Sequence, residues 1–156
     1  MSEIPLAKVT SSESAPADCW QLAAQMRDLD ALEMRALGLE PLKAIQMAYA
    51  DAIMRTTYFV DGEIAAMVGL GGTLLSDIGF PYLLTAKGIE AAPFAVLREA
   101  KKNVVQMLTV KRVLEGEVLS SYSGAVRLLR AIGFKIEKPR PFGVNGEMFC
   151  RFFMER

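Results

Sequence analysis

Acid–base chemistry in this chain depends on carboxylates, hydroxyl groups or water, because its 156 residues include no histidine. Glu33 lies in a predicted helical hairpin, and Glu115 and Glu117 alternate along a predicted strand. Tyr122 and the serines beside it place hydroxyl groups at the start of a predicted helix. A buried carboxylate can serve as a general base, and a phenol as a general acid, when the surroundings adjust their pKa values. These residues are therefore the candidates for proton transfer.

Each candidate also has a structural interpretation. Glu33 is equally typical of a solvated helix residue, since glutamates mostly lie at protein surfaces. The side chains of Glu115 and Glu117 can simply point to solvent from one face of their strand. Tyr122 follows Ser121, whose hydroxyl is a common N-cap of a helix. The residues alone leave both interpretations open.

The composition limits the ligands and partners that we expect. Lysine plus arginine and aspartate plus glutamate each total 18, so the net charge of zero predicts no bulk attraction to nucleic acid or to a membrane. With no histidine and only Cys19 and Cys150 as thiols, no metal site is expected. Both thiols are expected to be reduced and buried. There is no apolar run of about 18 residues that would predict a transmembrane helix, and the first residues do not resemble a secretory signal.

The chain length predicts one domain. A flexible, serine-rich arm is expected over residues 1–14, with an edge strand within it at residues 6–9. A single domain is expected over residues 15–156. Hydrophobic residues make up 52% of the chain and charged residues 23%, which is typical of a globular protein with a substantial core.

The first third of the domain has the pattern of a helical hairpin. An amphipathic helix is predicted from Ala17, with Trp20 on its apolar face. Gly38 ends this helical segment, because glycine tolerates the left-handed geometry of a helix C-terminus. Pro41 suits the first turn of a second helix that continues to about Met54.

Strands and two further helices are predicted after the hairpin. Asp61-Gly62 joins two strand-like runs and supplies the positive φ angles of a tight turn. A shorter helix ends at Gly133, and before it a long helix is predicted from near Pro93, with an apolar stripe of Phe94, Leu97, Val104, Val105 and Leu108. The remaining strands are predicted at "FPYLLTA", "VLEGEVL", "FKIE" and "EMFCRFFM". The fold class is therefore α+β, with a mostly antiparallel sheet of about six to seven strands and about four helices.

The last strand has phenylalanines on both of its faces, at Phe149, Phe152 and Phe153. Such a strand is either covered on both sides by its own chain or partly buried against a partner.

The order of these elements resembles the fold of the GCN5-related N-acetyltransferases (GNAT), from about Ala15 to the C-terminus. The chain is more narrowly similar to a phage and prophage branch, which includes the GNAT-like protein among the internal virion proteins of short-tailed phages. The fragments that suggest this branch are "DALEMRALGLEP", "VDGEIAAMVGLGG", "GFPYLLTA", "RLLRAIGF" and "GVNGEMFCRFFM".

The resemblance implies a site for acetyl-coenzyme A between the strands "FPYLLTA" and "VLEGEVL", which would splay apart. It implies Glu33 or a water molecule as the base, with Tyr122 as the acid that reprotonates the thiolate, assisted by Ser121 or Ser123. The pyrophosphate would lie at the start of the helix near Pro93. The cofactor-binding residues implied in this way are Leu83, Leu84, Thr85, Lys87, Gly88 and Ser123.

Two positions depart from the family pattern. The phosphate loop of the family has several glycines, whereas "TAKGIEAAPFAVL" has only Gly88, and Pro93 removes one N–H donor. The family commonly has asparagine where this chain has Tyr122, although Ala125 and the Gly133-Phe134 pair match the pattern. Both departures concern contacts with the cofactor.

Three functions are compatible with the resemblance. The first is a phage-encoded protein of this fold, associated with the virion or its assembly, whose coenzyme A site has degenerated. The alternative is an active N-acyltransferase that moves an acetyl group from acetyl-CoA to a protein or small-molecule amine. The third is an inhibitor that binds a host protein. The expected partners are virion or host proteins, or further copies of the chain, and the expected location is the host cytoplasm or the virion.

Overall fold

Five α-helices, one 3-10 helix and eight strands make up residues 6–156, the part of the chain that the computed structural model describes. The helices are α1 Pro16–Gln25, α2 Asp28–Ala36, α3 Pro41–Asp51, α4 Pro93–Val110 and α5 Ser123–Ile132, and the 3-10 helix is Lys87–Ala91. The strands are β1 Val9–Glu13, β2 Ala52–Val60, β3 Glu63–Gly71, β4 Ile78–Thr85, β5 Val113–Leu119, β6 Lys135–Ile136, β7 Arg140–Pro141 and β8 Met148–Glu155.

The strands form one sheet in the order β1-β2-β3-β4-β5-β8-β6, with β7 also paired to β8. All neighbours are antiparallel except β4 and β5, which run parallel. These two strands pair only at their first residues, Ile78 with Val113 and Gly79 with Leu114. Beyond these pairs β4 and β5 diverge, so the sheet contains a V-shaped gap. The α+β class and the predicted splayed pair of strands are both confirmed.

The β2–β3 hairpin forms where the sequence predicted it. Asp61 and Gly62 have φ angles of 50° and 81°, which are the left-handed values that a two-residue hairpin turn needs. The helical segment from Ala17 to Gly38 is instead divided into α1 and α2. The reason is non-local, because Met26 forms an isolated bridge with Ala86 at the end of β4.

The predicted N-terminal arm, residues 1–14, needs a correction. Residues 1–5 lie outside the described part of the chain, but Val9–Glu13 forms β1, which pairs with β2 from Val9–Val60 to Glu13–Thr56. Four of the five residues of β1 are exposed. Backbone hydrogen bonds therefore hold this strand to the sheet. The edge strand predicted at residues 6–9 overlaps it only at Val9, because the other four residues of β1 are polar and gave no hydropathy signal.

Helices cover both faces of the sheet. On one face α4 and α5 pack on a cluster that includes Val96, Ala100, Val104 and Met107. On the other face α1, α2 and α3 pack on a second cluster. No helix in residues 6–156 has the length and apolar character needed to cross a membrane.

One predicted helix face is wrong, and a second is wrong at two of its residues. Trp20 is 61% exposed, and α1 instead buries Asp18 and Cys19, because the Asp18 carboxylate accepts hydrogen bonds from Thr57 and from the Ala15 N–H. The stripe of α4 is wrong only in part, because Val104 is buried as predicted and Leu97 and Leu108 are partly buried. Phe94 is 78% exposed and Val105 lies on the same wet side, since small residues such as Ala100 allow the helix to approach the sheet.

The last strand is covered mainly by its own chain. Phe149 and Phe152 are buried within strand β8, and Phe153 is half-buried. Phe152 packs edge-to-face against Phe134, which follows α5. Of the two alternatives for this strand, burial within the chain accounts for Phe149 and Phe152. Cys19 and Cys150 are both buried free thiols, as expected.

Two close contacts fix the β3–β4 hairpin. The Lys111 side chain is buried, and its ammonium donates hydrogen bonds to the carbonyl oxygens of Thr73 and Ser76 in the connecting loop. Gly69 pairs with Tyr82, and a Cβ at Gly69 would overlap the Tyr82 ring. The buried Lys111 ammonium therefore holds the loop, and the close packing of β3 on Tyr82 requires glycine at position 69.

Candidate functional site

A cleft of about 150 Å³ lies where β4 and β5 diverge. Its polar side chains come from α2, β5 and the start of α5, namely Asp30, Glu33, Glu117 and Tyr122. Its apolar wall is formed by Leu83 of β4 and by the inner face of α5. The cleft thus brings together, in one place, both predicted catalytic residues and two of the predicted cofactor-binding residues, Leu83 and Leu84.

One residue of β4, Leu83, has backbone groups that are available to a ligand. Ala86 donates its N–H to the Ala65 carbonyl of β3, so alternation along the strand directs the backbone groups of Leu84 toward β3 and those of Leu83 and Thr85 toward the gap. Within residues 6–156 the pairing of β4 with β5 ends at Gly79, so the Leu83 N–H and carbonyl have no strand partner on the side of the gap. Leu83 therefore fits the predicted backbone contact, whereas the backbone of Leu84 is used in the sheet.

Thr85 faces the gap, but its polar groups are already bonded. Its N–H donates to Asp30 Oδ2 at 3.3 Å and its hydroxyl donates to the same oxygen. Its carbonyl accepts a hydrogen bond from the Arg27 N–H at 3.2 Å. Thr85 therefore attaches α2 to the end of β4. Burial raises the pKa of Asp30, and the bonds from Thr85 oppose that shift.

Glu33 attaches α2 to the other side of the gap. Its Oε2 accepts a hydrogen bond from the Leu119 N–H of β5 at 2.9 Å. The pKa of Glu33 is raised to about 7, mainly by burial; the Leu119 N–H opposes this shift, and the nearby Asp30 carboxylate contributes to it. A carboxyl group with this pKa exists in both protonation states near neutrality, which is the property that a general base needs.

Tyr122, at the start of α5, lines the same cleft as Asp30 and Glu33. It is only 6% exposed, and burial raises the pKa of its hydroxyl to about 12, with Asp30 adding to the shift and Thr85 opposing it. The phenol is therefore a proton donor at neutral pH. Tyr122 itself occupies the N-cap position of α5 without a side-chain cap bond. The alternative interpretation, a Ser121 N-cap, is wrong because α5 begins at Ser123, one residue later than that interpretation requires.

Three other predicted cofactor-binding residues, Lys87, Gly88 and Ser123, lie outside the cleft lining. Gly88 packs on β3, where a Cβ would overlap the Ile64 carbonyl, so close packing alone requires glycine. Lys87 is exposed and lines a separate hollow with Arg27 and Glu90. Ser123 is exposed at the first turn of α5.

The two weaker base candidates are held by ion pairs. Glu115 binds Arg151 at 2.6 Å, and Glu117 binds both terminal nitrogens of Arg140, at 2.9 and 2.5 Å. Glu117 lines the cleft, but its carboxylate is occupied by the guanidinium group. Among the described residues, no group of three or more potential ligand side chains could hold a metal ion.

Sequence reasoning missed Asp30. Its spacing of three from Glu33 places both carboxylates on one face of a helix, one turn apart. The structure shows that each carboxylate bonds a different strand, Asp30 bonding Thr85 of β4 and Glu33 bonding Leu119 of β5. The spacing of the two carboxylates can be seen in the sequence, but the two strands that they bond cannot.

A mixed sheet with a parallel pair that splays around a polar cleft, with helices on both faces, defines the architecture of the site. No family model matches the chain, and no curated protein sequence matches it. Solved structures do match over nearly its whole length. A GNAT-family acetyltransferase from Streptococcus pneumoniae has 19% identity and a TM-score of 0.62, with 95% of this chain and 99% of that chain covered.

Two other structures agree with this match. Ard1 from Thermoplasma volcanium has 12% identity and a TM-score of 0.71, with 94% and 97% of the two chains covered. Spermidine N-acetyltransferase from Vibrio cholerae, solved with CoA and spermine, has 14% identity and a TM-score of 0.68, with 94% and 95% covered. The chain therefore has the GNAT acetyltransferase fold. Nothing in these matches supports the phage-type branch, which stays a prediction.

Proposed function

We propose that the protein is an N-acyltransferase that uses an acyl-coenzyme A thioester as its donor. The observation that supports this most directly is Glu33, a half-buried carboxyl with a pKa of about 7 in the gap between β4 and β5. The unbonded backbone of Leu83 lies in the same cleft and suits an amide of the pantetheine arm. Proteins of this fold have been solved with acetyl-CoA and with CoA.

In the proposed reaction, the nitrogen of an acceptor amine attacks the carbonyl carbon of the thioester. The new C–N bond forms and the C–S bond breaks. The Glu33 carboxylate takes the proton that the amine loses, either directly or through water. The sulfur leaves as a thiolate and takes a proton from the Tyr122 hydroxyl, which is then restored from solvent.

The fit of the residues to coenzyme A is good at the pantetheine end and altered at the phosphate end. Leu83 can bond the pantetheine, whereas Gly88 is committed to packing on Ile64. Helix α4 begins with Pro93, which has no N–H, so the next residues, beginning with Phe94, supply the donors at this helix start. Titration calorimetry with acetyl-CoA tests the fit. A one-to-one affinity near micromolar, about −8 kcal/mol, is the expected result.

Replacing Glu33 with glutamine tests the base. Glutamine still accepts the Leu119 hydrogen bond, so the substitution removes the base and retains the attachment of α2 to β5. We expect kcat/KM to fall by roughly 10²-fold, with loss of the rise in rate through about pH 7 that the wild type should show. Tyr122→Phe should reduce kcat by a similar factor. Glu63→Gln, at an exposed position on β3, is the control. Full activity in both test variants would exclude these roles.

A non-catalytic protein of the same fold is a second candidate, and the altered phosphate end favours it. In this case the protein would act through contacts with virion or host proteins, in the host cytoplasm or in a particle. Calorimetry would then give no heat at millimolar acetyl-CoA, and the protein should be found in purified particles of its source. Binding at micromolar concentration together with absence from particles would exclude this candidate.

A further inference from the structure

The cleft continues into a second cavity that is almost entirely apolar. This cavity lies between α4 and α5, over the start of the gap in the sheet. Its walls are aliphatic and aromatic side chains, chiefly Leu83, Ala100, Val104, Met107, Leu129 and Phe152. Tyr82 also lines it, but the Tyr82 ring packs with the cluster beneath α1 and α3 on the other face of the sheet. The cavity therefore offers no polar side-chain group to an occupant.

The apolar cavity adjoins the cleft that contains Glu33. Leu83, Leu129 and Phe152 line both spaces. A molecule with its reactive atom near Glu33 can thus extend a chain past these three residues and into the apolar cavity.

The inner face of α5 is incompletely covered at this point. Its apolar residues Ala125, Leu128, Leu129 and Ile132 are all only partly buried, although they face the interior. An amphipathic helix ordinarily buries its apolar stripe completely. A hydrocarbon in the cavity would complete this burial.

The chemistry of the walls selects the kind of group that fits. The pantetheine arm has amide groups, and an amide buried without a hydrogen-bond partner is disfavoured. A hydrocarbon chain has no such requirement and gains from leaving water. The cavity volume of about 50 Å³ suits a short chain of a few carbons and is too small for a long one.

We propose that this cavity binds the acyl chain of the donor, so that the preferred donor is a short-chain acyl-CoA, of four to six carbons by an order-of-magnitude count, in place of acetyl-CoA. The inference rests on the proposed function and adds the class of acyl group. Each buried methylene should increase kcat/KM by up to about fourfold. Butyryl-CoA, with two more methylenes than acetyl-CoA, should therefore be used up to about 15-fold more efficiently.

The experiment compares kcat/KM for acetyl-, butyryl-, hexanoyl- and dodecanoyl-CoA with one amine acceptor, together with calorimetric binding of each thioester and of free CoA. Ala100→Leu fills the cavity from α4, and Leu129→Phe fills it from α5. In either variant the butyryl-to-acetyl ratio should fall to about one or below. Val105→Leu, on the exposed side of α4, is the matched control and should leave the ratio unchanged. Circular dichroism checks that each variant folds, and two variants are used so that one can replace the other.

The outcomes separate the two proposals. A wild type that prefers acetyl-CoA, or a ratio that survives in a folded variant with a filled cavity, overturns the acyl-chain inference and leaves the acyltransferase function in place. Butyryl-CoA that binds more tightly than CoA, but is never turned over, supports the cavity and overturns the catalytic function. If no thioester binds, both proposals are overturned.

Discussion

Replacing Glu33 with glutamine should change how the stability of the protein depends on pH. In the folded state the pKa of Glu33 is about 7, against an ordinary value of 4.5. Between these values the folded state holds a proton that the unfolded chain has released, so the free energy of unfolding falls as pH rises. The two pKa values give a loss of about 2–3 kcal/mol between pH 5 and pH 8.

Urea denaturation at several pH values in this range measures the effect. The Glu33→Gln variant lacks the titrating group, so its stability should exceed that of the wild type increasingly as pH rises. Glutamine can still accept the Leu119 N–H, so the attachment to β5 is similar in both proteins. Glu63→Gln, at an exposed position, should follow the wild-type curve. If the curves of the wild type and Glu33→Gln are parallel, the raised pKa of Glu33 is refuted.

Two further predictions concern the β3–β4 hairpin, and a glycine in α5 serves as the comparison for the first. Gly69→Ala should destabilise the protein by about 1–3 kcal/mol, because the added methyl overlaps the Tyr82 ring. Gly124 lies in α5, where an added Cβ would be 3.9 Å from its nearest neighbouring atom. Gly124→Ala should therefore stabilise the protein by about 0.5–1 kcal/mol. Equal effects of the two substitutions in urea denaturation would contradict the packing argument. Lys111→Met removes the ammonium that bonds the loop carbonyls, so hydrogen exchange should become faster in residues 72–77. Unchanged exchange would show that something else holds the loop.

The strands of the central sheet could be predicted because their signals are local. Asp61-Gly62 sets the β2–β3 turn, and "VLEGEVL" coincides with β5, Val113–Leu119. The helix faces were less predictable. Hydropathy placed Trp20 inside, whereas the buried hydrogen bonds of Asp18 with Thr57 orient α1 differently. A pattern based on apolar residues has no means of finding a polar residue that is buried because its partner lies 39 positions away in the chain.

The candidate site was predictable in part. Glu33 and Tyr122, proposed from a family resemblance, both line the cleft. The actual partners of Glu33 were not predictable, since the Leu119 N–H is 86 residues away along the chain. Gly88 resembled a phosphate-binding glycine, and its contact with Ile64 of β3 gives it another reason to be glycine. Local sequence shows the type of a residue, and the tertiary contacts decide its use.

Because β4 and β5 pair over only a short length, the sheet consists of two halves that are joined at this pairing. One half comprises β1 to β4 and the other comprises β5 to β8, and within residues 6–156 only two pairs of strand residues join them, Ile78 with Val113 and Gly79 with Leu114. Helix α2 is a second connection between the two halves. Its Asp30 bonds Thr85 in the first half, and its Glu33 bonds Leu119 in the second. The angle between the two halves of the sheet sets the width of the gap. This angle therefore depends on α2, which also carries the proposed base, Glu33. A change to α2 that breaks either bond, such as Glu33→Ala, should therefore alter the width of the gap as well as the chemistry, whereas Glu33→Gln keeps the bond to Leu119.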